Sequence, residues 1–126
     1  MNSPLSGHRI LLVEDEVMVS WLLEEILADF GCEVVGPAAC VSQALEMIDV
    51  EAIDAAVLDI NLNGQGSYLV ADALAAGGVP FVFSTGYGRD SLLKGYQKFP
   101  MLQKPFSPSK LGDMLVQLLT KREPAA

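Results

Sequence analysis

This sequence is poor in the groups from which most catalytic and metal centres are built. It has one histidine, one tryptophan and two cysteines in 126 residues. Cys32 and Cys40 are too few for a disulfide framework, and neither forms a CxxC pair or stands near a histidine. That argues against a thiolate metal site and for reduced, buried thiols. His8 alone cannot build a catalytic dyad and reads as an exposed residue. Basic residues are scarce: 8 Lys and Arg stand against 16 Asp and Glu, giving a net charge of −8. A nucleic-acid-binding chain needs a basic face, so this chain is not expected to bind nucleic acid. No GxxxxGK[ST] occurs, which excludes a P-loop. No apolar run approaches a membrane span, and no basic cluster precedes an apolar run as in a signal peptide. A cytoplasmic protein without membrane association is expected.

What the chain does have is apolar: 51% of its residues are hydrophobic. The length suits one domain with a real core. Residues 1–8 and 123–126 read as frayed tails around a domain over 9–122. Within it, short apolar runs alternate with helical stripes. Arg9–Val13 reads as a buried strand. Val19, Leu22, Leu23, Ile26, Leu27 and Phe30 form one helical stripe, stopped by Gly31. Glu33–Gly36 is a second strand, closed by Pro37. Ser42 caps a helix carrying Ala44, Leu45 and Ile48 inward. Ala55–Asp59 is a third strand, and Ser67–Ala76 a helix with Leu69, Val70, Ala73 and Leu74 inward. Pro80–Ser84 is a fourth strand, with a weak helix after it around Asp90–Tyr96. Pro100–Gln103 is a brief fifth strand. Ser107 and Pro108 open a last helix whose stripe is Leu111, Met114, Leu115, Leu118 and Leu119. Five βα repeats imply a doubly wound α/β sandwich with a five-stranded parallel sheet. In such folds the functional crevice lies outside the carboxyl ends of the strands.

The polar residues gather at those ends. Strand one runs into Glu14-Asp15-Glu16, strand three ends at Asp59, strand four at Ser84-Thr85 and strand five at Lys104. An acidic triplet alone would suit a helix N-terminus. Asp59 has no such explanation, because it ends an otherwise apolar strand. Carboxylates forced together repel unless a cation intervenes, and oxygen-only ligands suit hard Mg²⁺. Lys104 offers a point charge and Thr85 a hydroxyl donor.

These residues carry a resemblance. Leu11-Leu12-Val13-Glu14-Asp15-Glu16, Val57-Leu58-Asp59-Ile60-Asn61-Leu62, Phe83-Ser84-Thr85-Gly86 and Gln103-Lys104-Pro105-Phe106 resemble, in order, the four motifs of receiver domains of two-component response regulators. The resemblance implies a flavodoxin-like, CheY-like fold in which Asp59 accepts a phosphoryl group from a histidine kinase or histidine phosphotransfer protein. It implies Mg²⁺ held by Glu14, Asp15, Asp59 and the main-chain carbonyl of Asn61, with Lys104 and Thr85 on the phosphoryl oxygens. It also implies a cis bond at Lys104-Pro105, a switch rather than an enzyme, slow self-dephosphorylation, and a monomer or weak dimer with an unspecified downstream target.

The sequence departs from that family at Met101, where most receivers carry a switching aromatic. Phe83-Ser84-Thr85-Gly86-Tyr87 resembles a subset reading Phe-Ala-Thr-Gly in the fourth strand, with tyrosine close behind. Ordering of Gly86–Gly95 on phosphorylation is therefore expected in place of an aromatic relay. On the first helix, Val17, Met18 and Trp21 point away from the core stripe and form a candidate docking patch. The alternative reading is an interaction module with a silent receiver site, but the acceptor, acids and lysine are all present. A phosphohydrolase would carry a second aspartate two residues after Asp59, where Asn61 stands. FMN binding is disfavoured by the acids after strand one.

Overall fold

A computed structural model describes residues 4–86 and 92–121. The strands β1 (Arg9–Val13), β2 (Glu33–Ala38), β3 (Ala55–Asp59), β6 (Phe81–Thr85) and β7 (Met101–Gln103) form one sheet in the order β2-β1-β3-β6-β7. Every pairing in it is parallel. Helices α1 (Val17–Asp29) and α4 (Pro108–Lys121) cover one face, and α2 (Val41–Val50) and α3 (Tyr68–Ala76) cover the other. The strands alternate their side chains between the two layers. Ile10, Leu12, Val57, Val82 and Leu102 enter the α1/α4 core, while Leu11, Val13, Leu58, Phe81 and Phe83 enter the α2/α3 core. This is the doubly wound sandwich expected from the sequence.

Several local expectations change. In α1 the buried residues are Ser20, Leu23, Ile26 and Leu27. Leu22, about 100° round the helix from Leu23, turns outward at 58% exposure. Leu69 is likewise exposed, because α3 buries Val70, Ala71 and Leu74. Strand β2 continues through a cis Gly36-Pro37 bond to Ala38 instead of closing at Pro37, which an edge strand tolerates. Helix α2 takes Cys40 as its N-cap, leaving Ser42 inside the first turn. Ser107 does cap α4, its Oγ accepting from Lys110 N at 3.2 Å.

An unforeseen hairpin follows β3. The short strands β4 (Asn61–Leu62) and β5 (Gln65–Gly66) pair antiparallel about Asn63-Gly64. Both turn residues have positive φ, 53° and 85°, the conformation that Asn-Gly favours in two-residue hairpins. Of the expected helix at Asp90–Tyr96, Asp90 and Ser91 lie outside the described residues, as do Tyr87 and Gly88. The remainder forms bends and turns, with Gly95 at φ 97° and Leu93 N bonded to Tyr68 Oη. The tail expected over 1–8 is anchored in its described part. Leu5 is 1% exposed, and Gly7 N bonds Gly31 O at 2.8 Å. His8 is half-buried rather than exposed. The tail expected over 123–126 lies outside the described residues.

Candidate functional site

Alternation along the strands places the site. Glu14 continues the register of Ile10 and Leu12, Asp59 that of Val57, Ser84 that of Val82 and Lys104 that of Leu102. Four neighbouring strands thus deliver polar side chains to one face at their carboxyl ends. Carboxylate oxygens of Glu14, Asp15 and Asp59 lie within 4.8 Å of one another. Lys104 Nζ donates to Glu14 Oε1 at 3.1 Å and to Asp59 Oδ1 at 3.4 Å.

Local structure fixes two of the acids. Glu14 Oε2 accepts from Glu16 N at 3.2 Å, at the start of α1. The acid therefore also serves the helix terminus considered as its alternative role. Asp15 Oδ2 accepts from Asn63 N at 3.0 Å, so the hairpin turn holds it. Thr85 is buried at the end of β6, and its carbonyl accepts from Lys104 N at 2.6 Å, tying the two strand ends together.

Charge is unbalanced here. The Glu14 side chain is 1% exposed, Asp59 13% and Lys104 24%. Burial pushes the Glu14 carboxyl above its usual range and the Asp59 charge adds to it; the Glu16 amide and Lys104 oppose without cancelling. Burial raises Asp59 too, Lys104 opposing and the Asp15 and Glu16 charges reinforcing. For Lys104, burial favours the neutral amine, but Asp59 and Glu14 outweigh it and the net shift is upward. One ammonium thus faces three clustered carboxylates. An all-oxygen donor set with excess negative charge fits a hard metal cation. The cleft, about 550 Å³, is lined by Asp15, Glu16, Asp59, Asn61, Thr85 and Lys104 among others.

The family model of the response regulator receiver domain matches residues 10–116. The chain belongs to that family. SdrG from Sphingomonas melonis Fr1, solved in solution, is 41% identical with a TM-score of 0.80, covering 90% of this chain and 97% of that one. A BeF3-activated conformation of SdrG, from Pseudomonas melonis Fr1, aligns with 40% identity and a TM-score of 0.78, over 90% of this chain and 98% of that one. The uncharacterized transcriptional regulatory protein YbdJ of Bacillus subtilis (strain 168) is 31% identical over 112 residues, 85% of this chain and 48% of that protein. The chain spans about half the length of the curated relatives it matches.

In this receiver the implied cis bond at Lys104-Pro105 is present. Asn61 lines the cleft, and its side-chain Oδ1 is committed to Gly64 N at 2.8 Å, within the hairpin. Val17, Met18 and Trp21 are 59%, 76% and 64% exposed, and Leu22 extends their surface. Met101 is half-buried against the α2/α3 core. Sequence reasoning missed Asn63, whose amide holds Asp15; the Asn-Gly hairpin signal was the available clue. Among the described residues no helix is long and apolar enough to cross a membrane.

Proposed function

We propose that Asp59 is the phosphoryl acceptor of this response regulator receiver, charged by a histidine kinase or histidine phosphotransfer protein. The carrying observation is the cluster of buried Glu14 with half-buried Asp15 and Asp59, Lys104 reaching two of the three, at the carboxyl edge of a receiver-family sheet. An Asp59 carboxylate oxygen attacks phosphorus in line, the P–N bond to the partner histidine breaks, and an aspartyl phosphate results. Such transfer needs alignment and charge neutralisation more than covalent help from other groups. Lys104 and Thr85 supply donors to the phosphoryl oxygens. Glu14, Asp15, Asp59 and the Asn61 carbonyl would hold Mg²⁺, with Asp15 and Asp59 as direct ligands; when bound, it neutralises carboxylate and phosphoryl charge. The BeF3-activated conformation of SdrG supports this reading, since beryllofluoride resembles a phosphoryl group. The chain acts as a switch that hydrolyses its own phosphoryl group slowly, not as an enzyme on a separate substrate.

The test is intact mass after incubation with acetyl phosphate and Mg²⁺. Wild type gains one phosphoryl group and Asp59→Asn gains none. Labelling of both, or of neither, contradicts the assignment.

The exposed face of α1 begins immediately after the site and is the proposed kinase-docking surface. Truncating an exposed aromatic anchor of an interface costs about 2 kcal/mol. Trp21→Ala should therefore slow transfer from the kinase more than tenfold while the acetyl phosphate reaction is unchanged. Equal kinase rates would remove Trp21 from the interface.

A further inference from the structure

Ser84 is buried next to Asp59 in the strand register, yet nothing so far gives it a task. It is 1% exposed, and its Oγ is buried with no hydrogen-bond partner. Burying a hydroxyl without a partner is costly, and alanine would fill the same strand position without that cost. The position is specific. Ser84 is the register partner of Asp59 in the parallel β3–β6 pair, and Ile60 N bonds Ser84 O at 3.2 Å. Phe83 and Phe81 enter the α2/α3 core and Val82 the opposite one. Ser84 therefore shares the face of Val82, and with it the face of Asp59, Glu14 and Lys104. Sheet order puts β6 between β7 and β3. Lys104 can reach Asp59 and Glu14 only by crossing β6, and Ser84 is the β6 side chain on the crossed face. Among the described residues, the hydrogen bond Asp59 accepts is the one at Oδ1 from Lys104. An unused donor and an under-used acceptor thus sit on adjacent strands, which lie about 4.8 Å apart.

We infer that Ser84 is a further catalytic residue of the Asp59 site: its hydroxyl donates to the Asp59 carboxyl group and shortens the life of the aspartyl phosphate. The inference rests on Asp59 being the acceptor. In hydrolysis a water oxygen bonds to phosphorus and the P–O bond to Asp59 breaks. The bonding pair stays on the Asp59 carboxylate, and one water proton is released as inorganic phosphate leaves. Negative charge grows on the carboxylate as that bond breaks. A donor aimed at it is worth more at the transition state than in the acyl phosphate, whose carboxyl oxygens carry less charge. Lys104, drawn to the phosphoryl oxygens, is then less available to the carboxylate, and Ser84 offers a second donor on the same face.

The experiment loads wild type, Ser84→Ala, Ser84→Thr and Asp59→Asn with acetyl phosphate and Mg²⁺, removes the donor, and follows loss of phosphoryl mass. Melting temperatures are recorded alongside. A hydrogen bond made in the transition state is worth about 1 kcal/mol, so Ser84→Ala should hold its phosphoryl group about fivefold longer than wild type. Ser84→Thr, which keeps the hydroxyl, should stay within about twofold of wild type. A merely structural serine would move the melting temperature and not the lifetime. A labelled wild type whose alanine variant decays at the same rate overturns this inference alone, as does a threonine variant as slow as alanine. An unlabelled wild type, or a labelled Asp59→Asn, overturns the acceptor reading and this inference with it.

Discussion

At the amino-terminal end of the sheet, Arg9 meets Glu33 and Glu51 at 2.7 Å each and donates to the Ala52 carbonyl. Its own amide donates to Asp54 Oδ2 at 2.8 Å. At the carboxyl end, Lys104 faces Glu14, Asp15 and Asp59. The first group is half in water, and its cation is matched from several sides. The second is largely buried and short of positive charge. A chain folding only for stability would not build the second, because charge pushed out of water and left unbalanced is costly. The contrast separates a staple that joins β1, β2 and the α2–β3 connection from a carboxylate cluster that could hold a metal ion.

The contrast can be broken from either end. The largest effect is expected at Lys104. Replacing it with alanine leaves Glu14 buried without its cation, which costs about 3 kcal/mol. Adding Glu14→Gln should recover most of that loss, since the stranded charge is then gone. Chemical denaturation of the single and double variants measures both, and an undiminished loss in the double variant would show that packing dominates.

Next comes Asp59→Asn, which should stabilise the protein in chelator by about 1 kcal/mol, or about 4 °C. The sign follows from the raised Asp59 carboxyl. A carboxyl raised on folding imposes no penalty below its unfolded pKa and its full penalty above its folded pKa. Wild-type stability in chelator should therefore fall as pH rises through the carboxylate range, and Asp59→Asn should flatten that fall. Saturating Mg²⁺ should also reduce it, through binding to the folded state alone. Equal pH profiles for the two proteins would remove the charge imbalance from the account.

The smallest effect belongs to the other end. Arg9→Ala should cost about 1 kcal/mol, because exposed ion pairs contribute little each. The loss should shrink further in high salt. A loss as large as that of Lys104→Ala would erase the difference between the two ends.

The gathering of Glu14, Asp15, Asp59 and Lys104 at one sheet edge was legible in the sequence because strand alternation and strand ends are local signals. An apolar run ending in one acid, as at Asp59, says which edge of the sheet matters. The family resemblance then supplied roles for Asp15, Thr85 and Lys104. Burial of Leu5 was not legible: it packs in the α1/α4 core and lines a surface cavity with Phe30 and Val116, contacts fixed only by the assembled fold. The outward turn of Leu22 and Leu69 was missed for a related reason, since a stripe of apolar residues does not say which of its edges the neighbouring layer covers. Ser84 was visible as a letter in a motif. Its unpartnered hydroxyl and its register with Asp59 emerged only from strand pairing and packing.

The most direct test is to find which carboxyl group carries the phosphoryl. Protein treated with acetyl phosphate and Mg²⁺ is reduced with borohydride, which converts a phosphorylated aspartate to homoserine, and the peptides are sequenced by mass spectrometry. Homoserine at position 59, absent without the phosphoryl donor, is the predicted result. Homoserine at position 15, or reduction of Glu14 with Asp59 intact, would contradict the account.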